Sequence, residues 1–119
     1  MIEILPETRG NLVAAKAGGT LTAQDYTDIW LPKLEAVIGA HGKIRALIYF
    51  DETFEGWDAG AMWQDAKFGF SHADDFEKIA VVGAAEWVET VVNLFGHLMQ
   101  GTVETFPTGA LEKAYAWIK

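Results

Sequence analysis

Short apolar runs at Ile2 to Leu5 and Leu12 to Gly18, split by Pro6, Gly10 and Asn11, have the pattern of an N-terminal β-hairpin. Thr22 followed by Asp25 has the spacing of a capping box. Tyr26, Ile29, Trp30, Leu34, Val37 and Ile38 then recur at helical spacing until Gly39 and Gly42 stop the helix. Pro32 falls inside that pattern, where its missing N–H removes the bond to the Asp28 carbonyl and predicts a kink. Ile44 to Phe50 is almost continuously apolar, as a strand covered on both faces must be.

The second half continues in alternation. A helix is predicted from about Ala59 to Phe70, with Met62, Trp63, Ala66 and Phe70 as its inward stripe and Phe68 pointing the opposite way. Lys78 to Val82 reads as a strand. Glu86 to Met99 reads as an amphipathic helix with Trp87, Val91, Leu94 and Leu98 on one arc. Thr102 to Phe106 reads as an edge strand, and after Pro107 a last helix carries Leu111, Ala114, Tyr115, Trp117 and Ile118 on one face. Strands joined by helices of this length call for right-handed crossovers and parallel pairing. The expected fold is therefore α/β. One domain over residues 1–119 carries a mixed five-stranded sheet, an N-terminal hairpin followed by parallel βα units, with four helices.

Composition narrows the partners. With 17 Asp and Glu against 9 Lys and Arg, the net charge is -8. A polyanion needs a basic surface, so nucleic acid is not an expected partner, and contact with anionic membranes should be peripheral at most. The chain has no Cys, which excludes disulfides, thiolate nucleophiles and Cys-ligated metals. No run of about 20 apolar residues is present, and the first residues lack the pattern of a secretory signal. The expected location is the cytoplasm.

Candidate chemistry concentrates after Phe50. In a parallel sheet the natural site is the crevice beyond the carboxyl ends of the strands. Phe54, Trp57, Met62, Trp63, Phe68 and Trp87 are the residues expected to bind an apolar ligand there. Asp51, Glu52, Glu55 and Asp58 could act as an acid and base or hold a hard cation, but an acidic loop is more simply solvated, and Asp58 suits the N-cap of the following helix. His72 with Asp74, Asp75 and Glu77 matches no metal cage, and no metal or cofactor is expected. G-x-S-x-G, H-E-x-x-H, P-loop and G-x-G-x-x-G motifs are all absent, so no catalytic residue is assigned and no enzyme is expected.

Asp51 to Trp57 (DETFEGW), Trp63 to Phe76 (WQDAKFGFSHADDF), Glu77 to Gly83 (EKIAVVG) with Trp87 after it, and Glu104 to Ile118 (ETFPTGALEKAYAWI) resemble the SpoIIAA-like branch of the STAS fold. The resemblance covers essentially the whole chain. It implies a fold related to STAS domains and to CRAL-TRIO-like lipid carriers, with an apolar pocket or membrane contact and no established activity. The anti-sigma-factor antagonists of that fold carry a phosphorylatable Ser in the turn after the third strand. Here the turn region reads Gly56-Trp57-Asp58-Ala59-Gly60, so phosphoserine switching is not carried over. The expectation is a non-catalytic domain that holds a small apolar or amphipathic, lipid-like ligand in a pocket at the strand-end crevice. The alternative is a protein-interaction or homodimerisation module using the same aromatic patch.

Overall fold

The structure, a computed structural model, describes residues 1–83 and 101–119. The strands β1 (Ile2–Ile4), β2 (Leu12–Ala17), β4 (Ile44–Phe50), β6 (Phe76–Val82) and β7 (Thr102–Phe106) form one sheet in the order β1-β2-β4-β6-β7. β1 pairs antiparallel with β2, and every later pairing is parallel. The hairpin and the parallel units are thus as expected. A second, two-stranded sheet pairs β3 (Thr20–Leu21) with β5 (Gly56–Trp57), parallel, placing Leu21 opposite Trp57. The aromatic loop read from the sequence therefore contains a strand.

Three helices are seen among the described residues. The fourth expected helix, Glu86 to Met99, lies outside them, and so does Trp87.

The first helix begins at α1 (Ala23–Asp25) with the expected capping box: Asp25 N–H donates to the Thr22 hydroxyl at 3.2 Å, and Thr22 N–H to the Asp25 carboxylate at 2.9 Å. It runs without a break through a π turn (Tyr26–Trp30) into α2 (Leu31–His41). The expected kink at Pro32 takes the form of that turn. Leu31 N–H donates to the Tyr26 carbonyl five residues back, and Pro32, which has no N–H to give, follows directly at the start of α2. The wider turn also alters the helical phase. Tyr26, Trp30, Leu34 and Val37 are buried as expected, whereas Ile29, read as inward, is exposed.

Alternation along each strand divides the core into two layers. Val13, Ala15, Ala17, Ile44, Ala46, Phe50 and Val81 face the first helix and α3 (Ala59–Ser71). Leu12, Ala14, Leu47, Ala80 and Val82 face the C-terminal helix (Leu111–Ile118), which follows a 3-10 turn (Thr108–Ala110). Leu47, in the middle of β4, is fully buried. The end of the C-terminal helix is tied to the sheet by cations on its last carbonyls: Arg45 Nη1 donates to the Ile118 oxygen at 2.7 Å and Lys78 Nζ to the Trp117 oxygen at 2.8 Å.

The faces of α3 differ from the sequence reading. Phe68 is 8% exposed, lies on His72 with ring centroids 4.4 Å apart and meets Phe76 edge-on, while Met62, Trp63 and Phe70 are 60%, 65% and 71% exposed. The buried side of the helix is Ala61, Phe68 and Gly69, of which Ala61 and Gly69 are small enough to allow a close approach. At Gly60 an added Cβ would lie 2.9 Å from the Ala23 Cβ, so α1 and α3 are in contact through their smallest residues. That crossing sets the rotation of α3 and overrides its most apolar stripe.

Two truncations check this rotation. Phe68→Ala should cost about 3 to 5 kcal/mol as a core cavity, and Trp63→Ala should stay within about 0.5 kcal/mol. Urea denaturation of both variants measures the difference; a larger loss from Trp63 would place the wrong face against the sheet.

Candidate functional site

The residues after β4 form one aromatic corner. Phe50 ends the strand, Phe54 packs on it with ring centroids 4.3 Å apart, and Trp57 meets Phe50 and Phe54 edge-on at 5.7 and 5.1 Å. Such offset and edge contacts contribute beyond the area they bury. The acids of this loop serve its geometry. Asp51 Oδ1 accepts from Thr53 N–H at 2.9 Å and from the Thr53 hydroxyl at 2.6 Å, and the second bond leads the effects that hold its carboxyl below the usual value. Asp58 caps α3 by accepting from Ala61 N–H at 2.7 Å. His72 Nδ1 and Asp75 Oδ2 lie 2.8 Å apart across the turn that leaves α3. Among the described residues, no group of three His, Cys, Asp or Glu side chains is placed to hold a metal ion.

Beside this corner lies a cavity of about 340 Å³. Its floor is Ala46, Ile48 and Phe50 of β4, Ile79 and Val81 of β6, and Val103 of β7; Trp30 and Leu34 form one wall, and Met62, Ala66 and Phe70 of α3 another. The cavity runs along the face of the sheet from Phe76 to Trp57, so only one end reaches the crevice where the sequence placed the ligand. Of the six residues expected to line a pocket, Trp57, Met62 and Phe68 do so. Phe54 is not among the lining residues and supports Trp57 from behind. Trp63 faces solvent instead, and Trp87 is outside the described residues. A second depression of about 390 Å³, between α2 and α3, is lined by Glu35, Gln64, Lys67 and His72 among others.

Among the described residues the apolar cavity has one polar feature, and sequence reasoning missed all of it except Trp57. Trp57 Nε1–H donates to the Tyr26 hydroxyl at 2.8 Å, and that hydroxyl donates to Asp65 Oδ1 at 3.1 Å. All three residues line the cavity. Burial, followed by the charge of Asp65, pushes the Tyr26 hydroxyl well above its ordinary value. Asp65 is exposed to solvent along the cavity, and the desolvation by the protein packed around it still pushes its carboxyl up, with the Tyr26 bond opposing. Asp65 and Phe68 are three residues apart, and Asp65 and Gly69 four, which places the acid on the flank of α3 that meets the π turn. A Tyr on an apolar stripe and an Asp at helical spacing from small residues were the available signals.

The raised carboxyl has a consequence for stability. Below the ordinary Asp range the side chain is neutral in folded and unfolded chains, and the fold keeps the full benefit of holding it so; that benefit is lost as pH rises through the raised value. Asp65→Asn stays neutral throughout, so it should melt above the parent at neutral pH, with the gap closing as pH falls toward about 4. Melts followed by circular dichroism across that range test it, and a gap independent of pH would show an ordinarily solvated carboxylate.

Comparison with known proteins agrees with this architecture. No curated protein matches the chain. Among solved structures it is similar to a protein of the DUF3478 family with a SpoIIAA-like fold from Shewanella loihica PV-4, described as uncharacterized, with 28% identity over 99% of this chain and 94% of that one and a TM-score of 0.77. The SpoIIAA-like family model matches residues 12–119, the whole parallel sheet and the C-terminal helix included, and the chain belongs to the SpoIIAA-like family.

Proposed function

We propose that the protein is a non-catalytic binding domain that holds a small apolar or amphipathic ligand in the cavity against its sheet, and that it does so in the cytoplasm. The observation that carries this reading is the cavity itself. At about 340 Å³ it lies at the lower end of the range for ligand pockets, and its lining among the described residues is apolar apart from the Trp57–Tyr26–Asp65 chain. A predominantly apolar concavity with a few convergent polar groups is the usual composition of a small-molecule site. The absence of any helix long and apolar enough to cross a membrane, among the described residues, agrees with a ligand carried rather than a span inserted.

The exposed stripe on α3 favours a second reading. Trp63 and Phe70 stand at 65% and 71% exposure on the same helix, and such a patch suits a partner protein or a second copy of the chain.

One pair of variants separates the two. Ala66 is exposed on α3 and lines the cavity, so Ala66→Trp should fill the space without disturbing the core. It should weaken binding of an environment-sensitive apolar dye by about tenfold or more, while Trp63→Ser leaves dye binding unchanged; one lost aromatic-sized contact is worth that much. Native mass spectrometry with organic extraction should find an apolar compound with the parent protein and none with Ala66→Trp. Unchanged dye binding in Ala66→Trp, together with a dimer that Trp63→Ser dissociates, would transfer the function to the exposed patch.

A further inference from the structure

We infer that the polar end of the molecule held in this cavity is a hydrogen-bond donor, with a protonated amine the favoured form, seated on the open oxygen of Asp65. The inference rests on the binding role proposed above and names the chemistry of the occupant. It follows from counting donors and acceptors around the cavity. The Trp57 Nε1–H is spent on the Tyr26 oxygen, and the Tyr26 O–H is spent on Asp65 Oδ1. The chain of bonds therefore runs toward Asp65 and ends there. A carboxylate accepts at both oxygens, and among the described residues only Oδ1 has a partner. The cavity thus offers an incoming molecule an acceptor.

The charges point the same way. Asp65 is the only charged side chain among the described residues that line the cavity. Lys67, on the same helix, belongs to the separate depression between α2 and α3. Residues 84–100, which lie outside the description, contain no Lys or Arg, so they cannot supply a permanent cation. An anionic head such as a carboxylate or phosphate would meet a like charge, with no cation among the described lining residues to neutralise it. A pure hydrocarbon would displace water from Asp65 and give no bond in return. An amine or hydroxyl on an apolar tail satisfies both surfaces at once, and a charge-assisted bond to a carboxylate is stronger than a neutral one.

Decylamine, decanol and decanoate share one tail and differ only in the head, which makes them the probes. Isothermal titration of each into the full chain at neutral pH should give decylamine as the tightest, decanol weaker, and decanoate weaker than decylamine by about a hundredfold. Asp65→Asn should weaken decylamine by about tenfold or more and leave decanol within about threefold. Glu112→Gln, an exposed acid on the C-terminal helix, controls for general attraction of a cation to an acidic protein and should change none of the three. Decanoate binding as tightly as decylamine, or decylamine indifferent to Asp65→Asn, would overturn the inference while decanol binding leaves the cavity proposal standing. If none of the three probes binds, the cavity proposal and the inference fall together.

Discussion

The hydroxyl of Tyr26 is the point on which three separate pieces of this fold converge. It belongs to the π turn of the first helix, receives the indole N–H of β5 and donates to the carboxylate of α3. None of these elements is part of the main sheet, and a short β3-β5 pairing is too small to be stable alone. A buried hydroxyl with both its donor and its acceptor used costs little, whereas the same group with either partner missing costs its desolvation. The arrangement therefore holds together only as a unit. The π turn contributes directly, because a regular turn would present a different phase at Tyr26, and the turn exists where Pro32 denies the helix its ordinary bond.

That unit explains why the two faces of the sheet are used differently. On one face the C-terminal helix lies close against Leu47, Ala80 and Val82, with Arg45 and Lys78 fixing its final carbonyls. On the other, α3 is drawn toward α1 by the contact of Gly60 with Ala23 and by the bond from Tyr26 to Asp65. Its bulky apolar residues Met62 and Phe70 consequently border a cavity instead of filling one. Close packing is the default in protein interiors, so an apolar volume that the described residues leave open beside a paired carboxylate has to be maintained by contacts elsewhere. Here those contacts are the helix crossing and the hydrogen-bond chain.

The strands were readable because alternation and runs such as Ile44 to Phe50 reflect burial on known faces, and the caps at Thr22 and Asp58 were readable because they are local chemistry. The rotation of α3 was not. Met62, Trp63, Ala66 and Phe70 form its most apolar stripe, and a periodicity argument turns the most apolar stripe inward. The deciding facts were the small side chains of Ala61 and Gly69 and a partner for Asp65 that lies 39 residues away. Neither can be weighed without knowing which helix α3 meets. The same limit hid the candidate site: Trp57 stood out as an aromatic near a strand end, whereas Tyr26 was one member of an apolar helical stripe and Asp65 carried no signal of its own. A polar residue between small ones on a helix, with a Tyr available on a neighbouring apolar face, is the pattern that would have identified them.

The start of α3 also clarifies how this chain stands beside the phosphorylated antagonists it resembles. A phosphate dianion is stabilised at a helix N-terminus because free N–H groups point at it. In this protein Asp58 already occupies that position, with its carboxylate on the Ala61 N–H, and the preceding Gly56–Trp57 is committed to pairing with Thr20–Leu21. The nearest hydroxyl, Thr53, is engaged with Asp51. An anion bound permanently through the chain removes both the vacancy and the hydroxyl on which a phosphate switch depends. Trp57 lies within the turn region that resembles theirs, and its indole directs a hydrogen bond toward Tyr26 and so toward the cavity. The turn that carries the phosphorylated Ser in the antagonists is here committed to strand pairing, to capping α3 and to the wall of the cavity.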